Sequence, residues 1–286
     1  MTQLNIGLVL SGGMAKGAYQ IGALRAISEF IAPEDISFVS CASVGVLNGY
    51  AFATGQLDSA EEMWKSLCED DSRLFVSQLL RSSLLQQNIS RLYDTAEKPP
   101  MSFYCSLFDF NHFDLVYKDL ANVKDTHVLR YLKASVAMPV YNRAVKVGTS
   151  AYFDGAMIDN IPVYPLLKKK LDYIICIYFD DVSYTFENTY FDNKVIKITF
   201  PADGILKQSL WFKKENIDDM IRHGYSRASA ILRSVFYDGK DDLNSIYKAI
   251  EQNNCRAKSH SLRITGDVLV TNLNKIAQKL TKRKIL

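Results

Sequence analysis

The sequence predicts an α/β fold with three layers, in which helices cover both faces of a central, mainly parallel sheet. Short apolar runs bounded by turn residues alternate with segments whose apolar residues recur at helical spacing, as is typical of parallel sheets. Loops with glycine and serine follow the first two apolar runs, and ligands in such sheets bind at the carboxyl ends of the strands. The pattern therefore predicts both an architecture and the edge that carries a site.

The first four elements carry this argument. Residues 4–10 form a short apolar run that ends at Ser-Gly-Gly, and we predict a buried strand there. A helix is predicted from Gly17 to about Phe30, a second buried strand over 36–41, and a second helix over 44–54. Gly55 is expected to end that helix.

The later elements continue the alternation to residue 200 and then become mostly helical. Strands are predicted over 103–110, 146–153, 173–179 and 194–200, and helices over 58–69, 74–89, 125–134, 215–236 and 271–283. No composition shift marks a boundary, so we predict a single domain over 1–286. About 4–180 carries the motifs described below, and about 205–286 is its mostly helical C-terminal part.

Composition excludes several classes of protein. With 48% hydrophobic residues the chain can bury a sizeable core, and its net charge of +3 does not favour nucleic acid as a partner. The five cysteines are scattered without a C-x-x-C pair, which argues against a disulfide framework or a zinc site. No apolar run reaches the ~18 residues of a membrane span, and no signal peptide is evident. We expect a cytoplasmic protein that meets lipid only from the surface.

Ser43 stands in Cys41-Ala42-Ser43-Val44-Gly45, between the second predicted strand and a helix rich in Ala and Gly. A nucleophile elbow has the pattern G-x-S-x-G, because small residues on both sides of the serine let strand and helix approach in a tight turn. Gly45 fits this pattern, whereas Cys41 replaces the first glycine. The motif favours Ser43 as a nucleophile, and the alternative is a serine that caps an ordinary helix.

A glycine-rich loop, Ser11-Gly12-Gly13-Met14-Ala15-Lys16-Gly17, follows the first predicted strand. Glycines let backbone N–H groups converge on an anion, and the N-terminus of the next helix adds a positive dipole end. The spacing fits neither a Walker A loop nor a dinucleotide-binding loop. We predict an oxyanion or phosphate site, and the alternative is a tight turn without a ligand.

Asp154-Gly155, after the strand predicted over 146–153, is the third candidate. A serine nucleophile needs a base, yet none of the four histidines lies in an obvious strand-end loop. The pKa of an ordinary aspartate is ~3.9, so it is a weak base unless burial or direct contact with the hydroxyl helps. Taken alone, an Asp-Gly pair is better explained as a turn.

In this order, the three motifs resemble those of the patatin-like phospholipases. That family combines a glycine-rich oxyanion loop, a G-x-S-x-G elbow and a D-G-[GA] aspartate, and its Ser–Asp dyad works without histidine. The blocks Gly17–Leu24, Ala134–Pro139 and Asp159–Pro162 also match, with a weaker match at Gly224-Tyr225. The likeness covers about residues 4–180, and several ordered blocks are more specific than any single motif.

The resemblance implies a patatin-like version of the predicted fold and a role for each motif. It assigns the nucleophile to Ser43 and the base to Asp154. It assigns the oxyanion hole to the loop residues Gly12, Gly13, Met14 and Lys16. The implied activity is that of a phospholipase or esterase, without cofactor or metal, that forms an acyl-enzyme on Ser43 and releases it with water.

Two departures from the family pattern leave alternatives open. Cys41 replaces the first elbow glycine and Met14 replaces a frequent glycine of the loop, so a catalytically impaired lipid-binding module is one alternative. Acyl transfer to an acceptor other than water is another, because it shares the acyl-enzyme. A third places the base at His223, in the Ser…Asp…His order of ordinary α/β-hydrolases.

The expected partner is a phospholipid or another acyl lipid, with possible contact at a membrane surface. The apolar stripe Leu74–Leu85 and the aromatic segment Phe103–Phe113 lie between the elbow and the aspartate, where a lid or acyl pocket would be inserted. Ordinary core packing is the alternative for each of these residues. A basic segment near the end, Lys275, Lys279, Lys282, Arg283 and Lys284, is suited either to anionic lipid or to a solvated helix end.

Overall fold

A central β-sheet with helices packed against it forms the core of the computed structural model. The structure describes residues 4–67, 74–75, 82–94, 96–139, 141–179, 192–200, 211–212, 214–260 and 283–286. The strands are β1 (Ile6–Leu10), β2 (Ile36–Cys41), β3 (Leu74–Phe75), β4 (Ser102–Asp109), β5 (Asp114–Asp119), β6 (Val145–Val147), β7 (Ser150–Asp154), β8 (Tyr173–Phe179), β9 (Val195–Phe200), β10 (Trp211–Phe212) and β11 (Arg283–Ile285). The helices are α1 (Gly17–Ser28), α2 (Val44–Ala53), α3 (Leu57–Ser66), α4 (Ser83–Asp94), α5 (Asp125–Ala134), α6 (Lys214–Val235) and α7 (Leu243–His260).

The order of strands confirms the predicted α/β class with a mainly parallel sheet. In the described part of the chain the order is β11-β5-β4-β2-β1-β8-β9, with β7 attached to β4 and β6 to β7. Strands β4, β2, β1, β8 and β9 run parallel, whereas β5 and β7 pair antiparallel with β4. The parallel half therefore holds the loop and the elbow, and an antiparallel addition brings in Asp154.

Alternate residues of β1 face two separate apolar clusters, as strand geometry requires. Leu8 and Leu10 join a cluster that contains residues of all the helices from α1 to α7. Val9 joins a smaller cluster on the opposite face. Among the described residues that second face is covered by the segment after Asp154, with its 3-10 turn Tyr164–Leu166, rather than by an α-helix.

The helix that follows the glycine loop packs unusually closely against α6. A Cβ on Gly22 would lie 1.8 Å from the carbonyl oxygen of Ile221, and one on Gly224 would lie 2.1 Å from that of Tyr19. Neither position can hold a side chain, so the two backbones meet directly. This crossing fixes α1, and α1 in turn fixes the end of the glycine loop.

Several predicted elements differ from the structure. The single strand expected over 146–153 is a hairpin of β6 and β7, because Gly148 adopts a positive φ of 61° and reverses the chain. The helix expected over 74–89 is wrong at Leu74 and Phe75, which form β3 and pair with β10, a short strand in the C-terminal part that is predicted to be mostly helical. Strand β5 and helix α7 were not predicted.

Two further expectations fall largely outside the described residues. The helix expected over 271–283 is described only at Arg283, which begins strand β11 instead. Residues 76–81 of the Leu74–Leu85 stripe, and Lys275, Lys279 and Lys282 of the basic segment near the end, also lie outside the described residues. Of the helices that the structure describes, none combines the length and apolar character needed to cross a bilayer.

Candidate active site

Ser43 occupies a strained turn between β2 and α2. Its backbone has φ 53° and ψ −133°, a conformation that costs a non-glycine residue on the order of 1–3 kcal/mol. A Cβ on Gly45 would lie 2.7 Å from the carbonyl oxygen of Ser11, so that position must be glycine for strand and helix to approach. The turn therefore has the geometry of a nucleophile elbow.

Cys41 fits at the first elbow position because the residue that faces it on α2 is Gly49, which has no side chain. The Cys41 side chain is fully buried, and a Cβ on Gly49 would lie 2.6 Å from its Sγ. Gly49 thus leaves the space that Cys41 fills. Burial raises the pKa of the Cys41 thiol well above its usual value, so the thiol stays neutral beneath the elbow.

Asp154 ends β7 and directs its carboxylate to Ser43. The Ser43 hydroxyl donates a hydrogen bond to this carboxylate, and the Ala156 N–H donates a second at 2.9 Å. The Asp154 N–H is bonded to the Ala137 carbonyl at 2.9 Å, which ties the aspartate to the Ala134–Pro139 block. Burial raises the pKa of Asp154 to about 7, although both hydrogen bonds to the carboxylate lower it. At that pKa an aspartate can accept a proton near neutral pH.

The glycine-rich loop passes directly over Ser43. A Cβ on Gly12 would lie 2.8 Å from the Cβ of Ser43, and one on Gly13 would lie 2.2 Å from the ring of Phe179. Met14 has a positive φ of 51°, which explains why glycine is frequent at this position in the family pattern. Lys16 is only 7% exposed and ends the 3-10 turn that leads into α1.

Asn160 holds the loop against the segment that follows Asp154. The Gly12 N–H donates to the Asn160 carbonyl at 3.3 Å, and the Asn160 side-chain amide donates to the Gly12 carbonyl at 3.4 Å. Within the described part of the chain, the N–H groups of Gly13 and Met14 donate to no protein acceptor. These two groups, rather than the Gly12 N–H, are therefore available to an incoming oxyanion.

A buried chain of polar side chains, which the sequence analysis missed, braces the loop from below. The Trp64 indole donates to Asn48 at 2.8 Å, Asn48 donates to Gln20 at 2.9 Å, and Gln20 donates to the Ser11 carbonyl at 2.8 Å. Asn48 also donates to the Gly17 carbonyl at 2.9 Å. An asparagine inside the otherwise apolar helix α2 was the signal, because a buried amide needs partners.

The model of the family described as Patatin-like phospholipase matches residues 8–167, a stretch that holds the loop, the elbow and Asp154 and exceeds half of the chain. The chain belongs to the patatin-like phospholipase family.

Individual relatives of this patatin-like chain are distant. It is 27% identical over 200 residues to "Lysophospholipase NTE1" in each of two strains of Cryptococcus neoformans, and the match covers 66% of this chain. The matched part is 12% of the length of those relatives. Among solved structures, VipD from Legionella pneumophila has a TM-score of 0.52 and 11% identity, covering 90% of this chain and 74% of VipD. At that identity the likeness supports the fold alone.

The histidine alternative finds no geometric support in this patatin-like structure. His223 is exposed on α6, and the group bonded to the Ser43 hydroxyl is Asp154. His112 lies on the β4–β5 hairpin, where its ring Nδ1 is 3.0 Å from the Asp109 carboxylate. The aromatic segment also divides: Phe103 is buried in the core of β4, whereas Phe110 and Phe113 are exposed at the hairpin tip.

Proposed function

We propose that this chain is a lipid acyl hydrolase in which Ser43 is the nucleophile and Asp154 the base. One observation carries the proposal: a strained elbow serine donates a hydrogen bond to a carboxylate that is only 2% exposed. Membership of the patatin-like phospholipase family supports a lipid ester as the substrate.

In the proposed reaction, the Ser43 oxygen attacks the ester carbonyl while Asp154 accepts the hydroxyl proton. The developing oxyanion binds the N–H groups of Gly13 and Met14, next to the N-terminus of α1. The alcohol leaves with the proton from Asp154 and an acyl-Ser43 ester remains. Water, deprotonated by Asp154, then attacks this ester; the Ser43 oxygen leaves and takes the proton back from Asp154, and a fatty acid is released.

Lysophospholipids are the first substrates to test, because the relatives from Cryptococcus neoformans are named lysophospholipases. The three cysteines that the structure describes as free, Cys41, Cys105 and Cys176, agree with the reducing, cytoplasmic compartment that is part of this proposal.

The test combines a covalent probe with two substitutions. A fluorophosphonate is expected to label the wild type at Ser43, and Ser43→Ala is expected to lose both labelling and fatty-acid release. Ser28→Ala is the matched control, because Ser28 lies at the end of α1 and its hydroxyl donates within its own helix, to the Leu24 carbonyl. Full turnover of acyl esters by Ser43→Ala would show that another residue is the nucleophile.

The base is tested separately. Asp154→Asn is expected to lose ester hydrolysis while keeping the fold, whereas His223→Ala is expected to keep both. Loss of activity in His223→Ala with retention in Asp154→Asn would move the base to the histidine. Detection of a transferred acyl chain on an acceptor alcohol, in place of free fatty acid, would replace hydrolysis by acyl transfer.

A further inference from the structure

An exposed aromatic cluster lies at the tip of the β4–β5 hairpin. Phe110 and Phe113 are 50% and 67% exposed. The Phe113 ring contacts Phe108 at 5.9 Å and Phe110 at 5.7 Å, and Phe110 contacts Phe153 edge-on at 5.7 Å. The rings thus hold one another in place while two of them face solvent, where apolar surface is unfavourable.

The backbone at this tip is strained at Phe113. Phe113 has a positive φ of 54°, a conformation uncommon for any residue other than glycine, asparagine or aspartate. A bulky aromatic residue here gains little from burial, since most of its surface is exposed. Backbone strain of this kind is concentrated at functional sites, so it supports a functional role for Phe113.

The tip projects from the edge of the sheet that carries the candidate active site. Asp154 pairs with Leu107 of β4, and the hairpin continues past that level to Phe110, whose N–H is bonded to the Ala151 carbonyl. Three residues of extended chain span roughly 10 Å. The aromatic tip therefore lies beyond Asp154. It is at the same edge of the sheet as Ser43, which follows the carboxyl end of the parallel strand β2.

The charges around the tip suit an anionic surface. Asp109 and Asp114, at the two ends of the hairpin strands, are each only 5% exposed, and Asp109 also accepts hydrogen bonds from the backbone N–H groups of Asn111 and His112. Lys146 is exposed and pairs in register with Ala151, beside Phe110. The two carboxylates of the hairpin strands are thus withdrawn from solvent, whereas Lys146 leaves an exposed positive charge on the neighbouring hairpin of β6 and β7.

We propose that the hairpin tip is an interfacial anchor, which inserts Phe110 and Phe113 into an anionic phospholipid surface and presents the candidate active site to its substrate. Exposed aromatic rings with a basic residue nearby are the combination that binds such an interface. The proposed function supplies the reason for docking, and to that extent this proposal rests on it. Binding to the lipid surface itself requires no catalysis.

The first test measures binding in the Ser43→Ala background, so that lipid hydrolysis cannot alter the vesicles. Sedimentation with equimolar phosphatidylcholine–phosphatidylserine vesicles is expected to show that Phe110→Ala combined with Phe113→Ala lowers the partition coefficient by about tenfold or more. Tyr237→Ala is the matched control, because it removes an aromatic ring that is 85% exposed beyond the end of α6. Circular dichroism and the thermal midpoint check that each variant is folded.

The second test follows the tip directly. Phe113→Trp is expected to keep binding and to show a blue shift of its fluorescence when the vesicles are added, and added salt is expected to weaken binding. Unchanged sedimentation of the double alanine variant, no spectral shift, or equal binding to pure phosphatidylcholine would overturn the proposal. A double variant that changes the oligomeric state instead of vesicle binding would assign the tip to self-association. If binding holds but Ser43 proves inactive, only the proposed function fails.

Discussion

The pH dependence of ester hydrolysis provides a direct test of the Ser43–Asp154 pair. Burial raises the pKa of Asp154 from its ordinary value of 3.8 to about 7. Only the carboxylate can accept the Ser43 proton, so activity should require ionised Asp154. We therefore expect kcat/KM, which reports on the free enzyme, to rise with pH through an apparent pKa near 7.

The size of the effect follows from the ionised fraction. With a pKa of about 7, roughly a tenth of Asp154 is ionised at pH 6 and roughly nine-tenths at pH 8, which gives about a tenfold rise in kcat/KM. With an unshifted carboxyl, ionisation would already be nearly complete at pH 6 and the profile would be flat over that range. The two cases are readily distinguished.

The assay uses a soluble, short-chain acyl ester, so that changes in a lipid surface do not enter the profile. Rates are measured from pH 5 to pH 9 in buffers of constant ionic strength, a range chosen to be about two units either side of the expected pKa. A kcat/KM that does not vary between pH 6 and pH 8 would refute the assignment of Asp154 as a buried base.

The same shift predicts a change in stability. The folded-state pKa lies above the unfolded one, so the folded chain binds the proton more tightly. The resulting stabilisation is fully present below about pH 4 and is lost as pH rises through about 7. A shift of about three units corresponds to at most ~4 kcal/mol. Asp154→Asn lacks this titration, so urea unfolding should show it gaining stability relative to the wild type between pH 5 and pH 8. An identical pH dependence in both proteins would contradict this.

Three substitutions test the packing around the site. Gly12→Ala should reduce kcat by about 100-fold, since its Cβ would lie 2.8 Å from that of Ser43 and shift the nucleophile; steady-state kinetics close to wild type would count against this. Trp64→Phe should lower the free energy of unfolding by about 1–3 kcal/mol in urea, because it leaves the Asn48 carbonyl oxygen unpaired; an unchanged midpoint would argue otherwise. Cys41→Ala should cost about 1 kcal/mol while ester hydrolysis continues, and loss of activity in a folded variant would mean that the thiol does more than fill space.

Much of the fold was accessible from local patterns. The strands β1 and β2 and the helices α1, α2 and α5 were predicted almost to the residue, because each is a continuous apolar or periodic segment with a clear stop signal. The hairpin of β6 and β7 was not, since Gly148 was overlooked as a turn inside an apparently continuous strand. Short strands such as β3 depend on pairing with a distant segment, here β10, which no local window contains.

The sequence by itself determined the chemical groups of the candidate site and their order along the chain. Ser43 and Gly45 follow from the tightness of a strand-to-helix turn, and the glycine loop follows from the need for exposed N–H groups. Only the tertiary structure decided that Asp154 reaches Ser43, because it arrives on an antiparallel strand more than a hundred residues later. Its raised pKa likewise depends on burial, which is a property of the packed core and not of the residue.

Packing also decided two details of the candidate site. Cys41 looked unfavourable in the sequence, but Gly49, on the helix that follows the elbow, leaves room for its sulfur. The Gly12 N–H looked available to an oxyanion, but Asn160 occupies it. Asn160 is far along the chain from Gly12, and Gly49 is close in sequence to Cys41, but in both cases only the folded backbone places the two residues in contact.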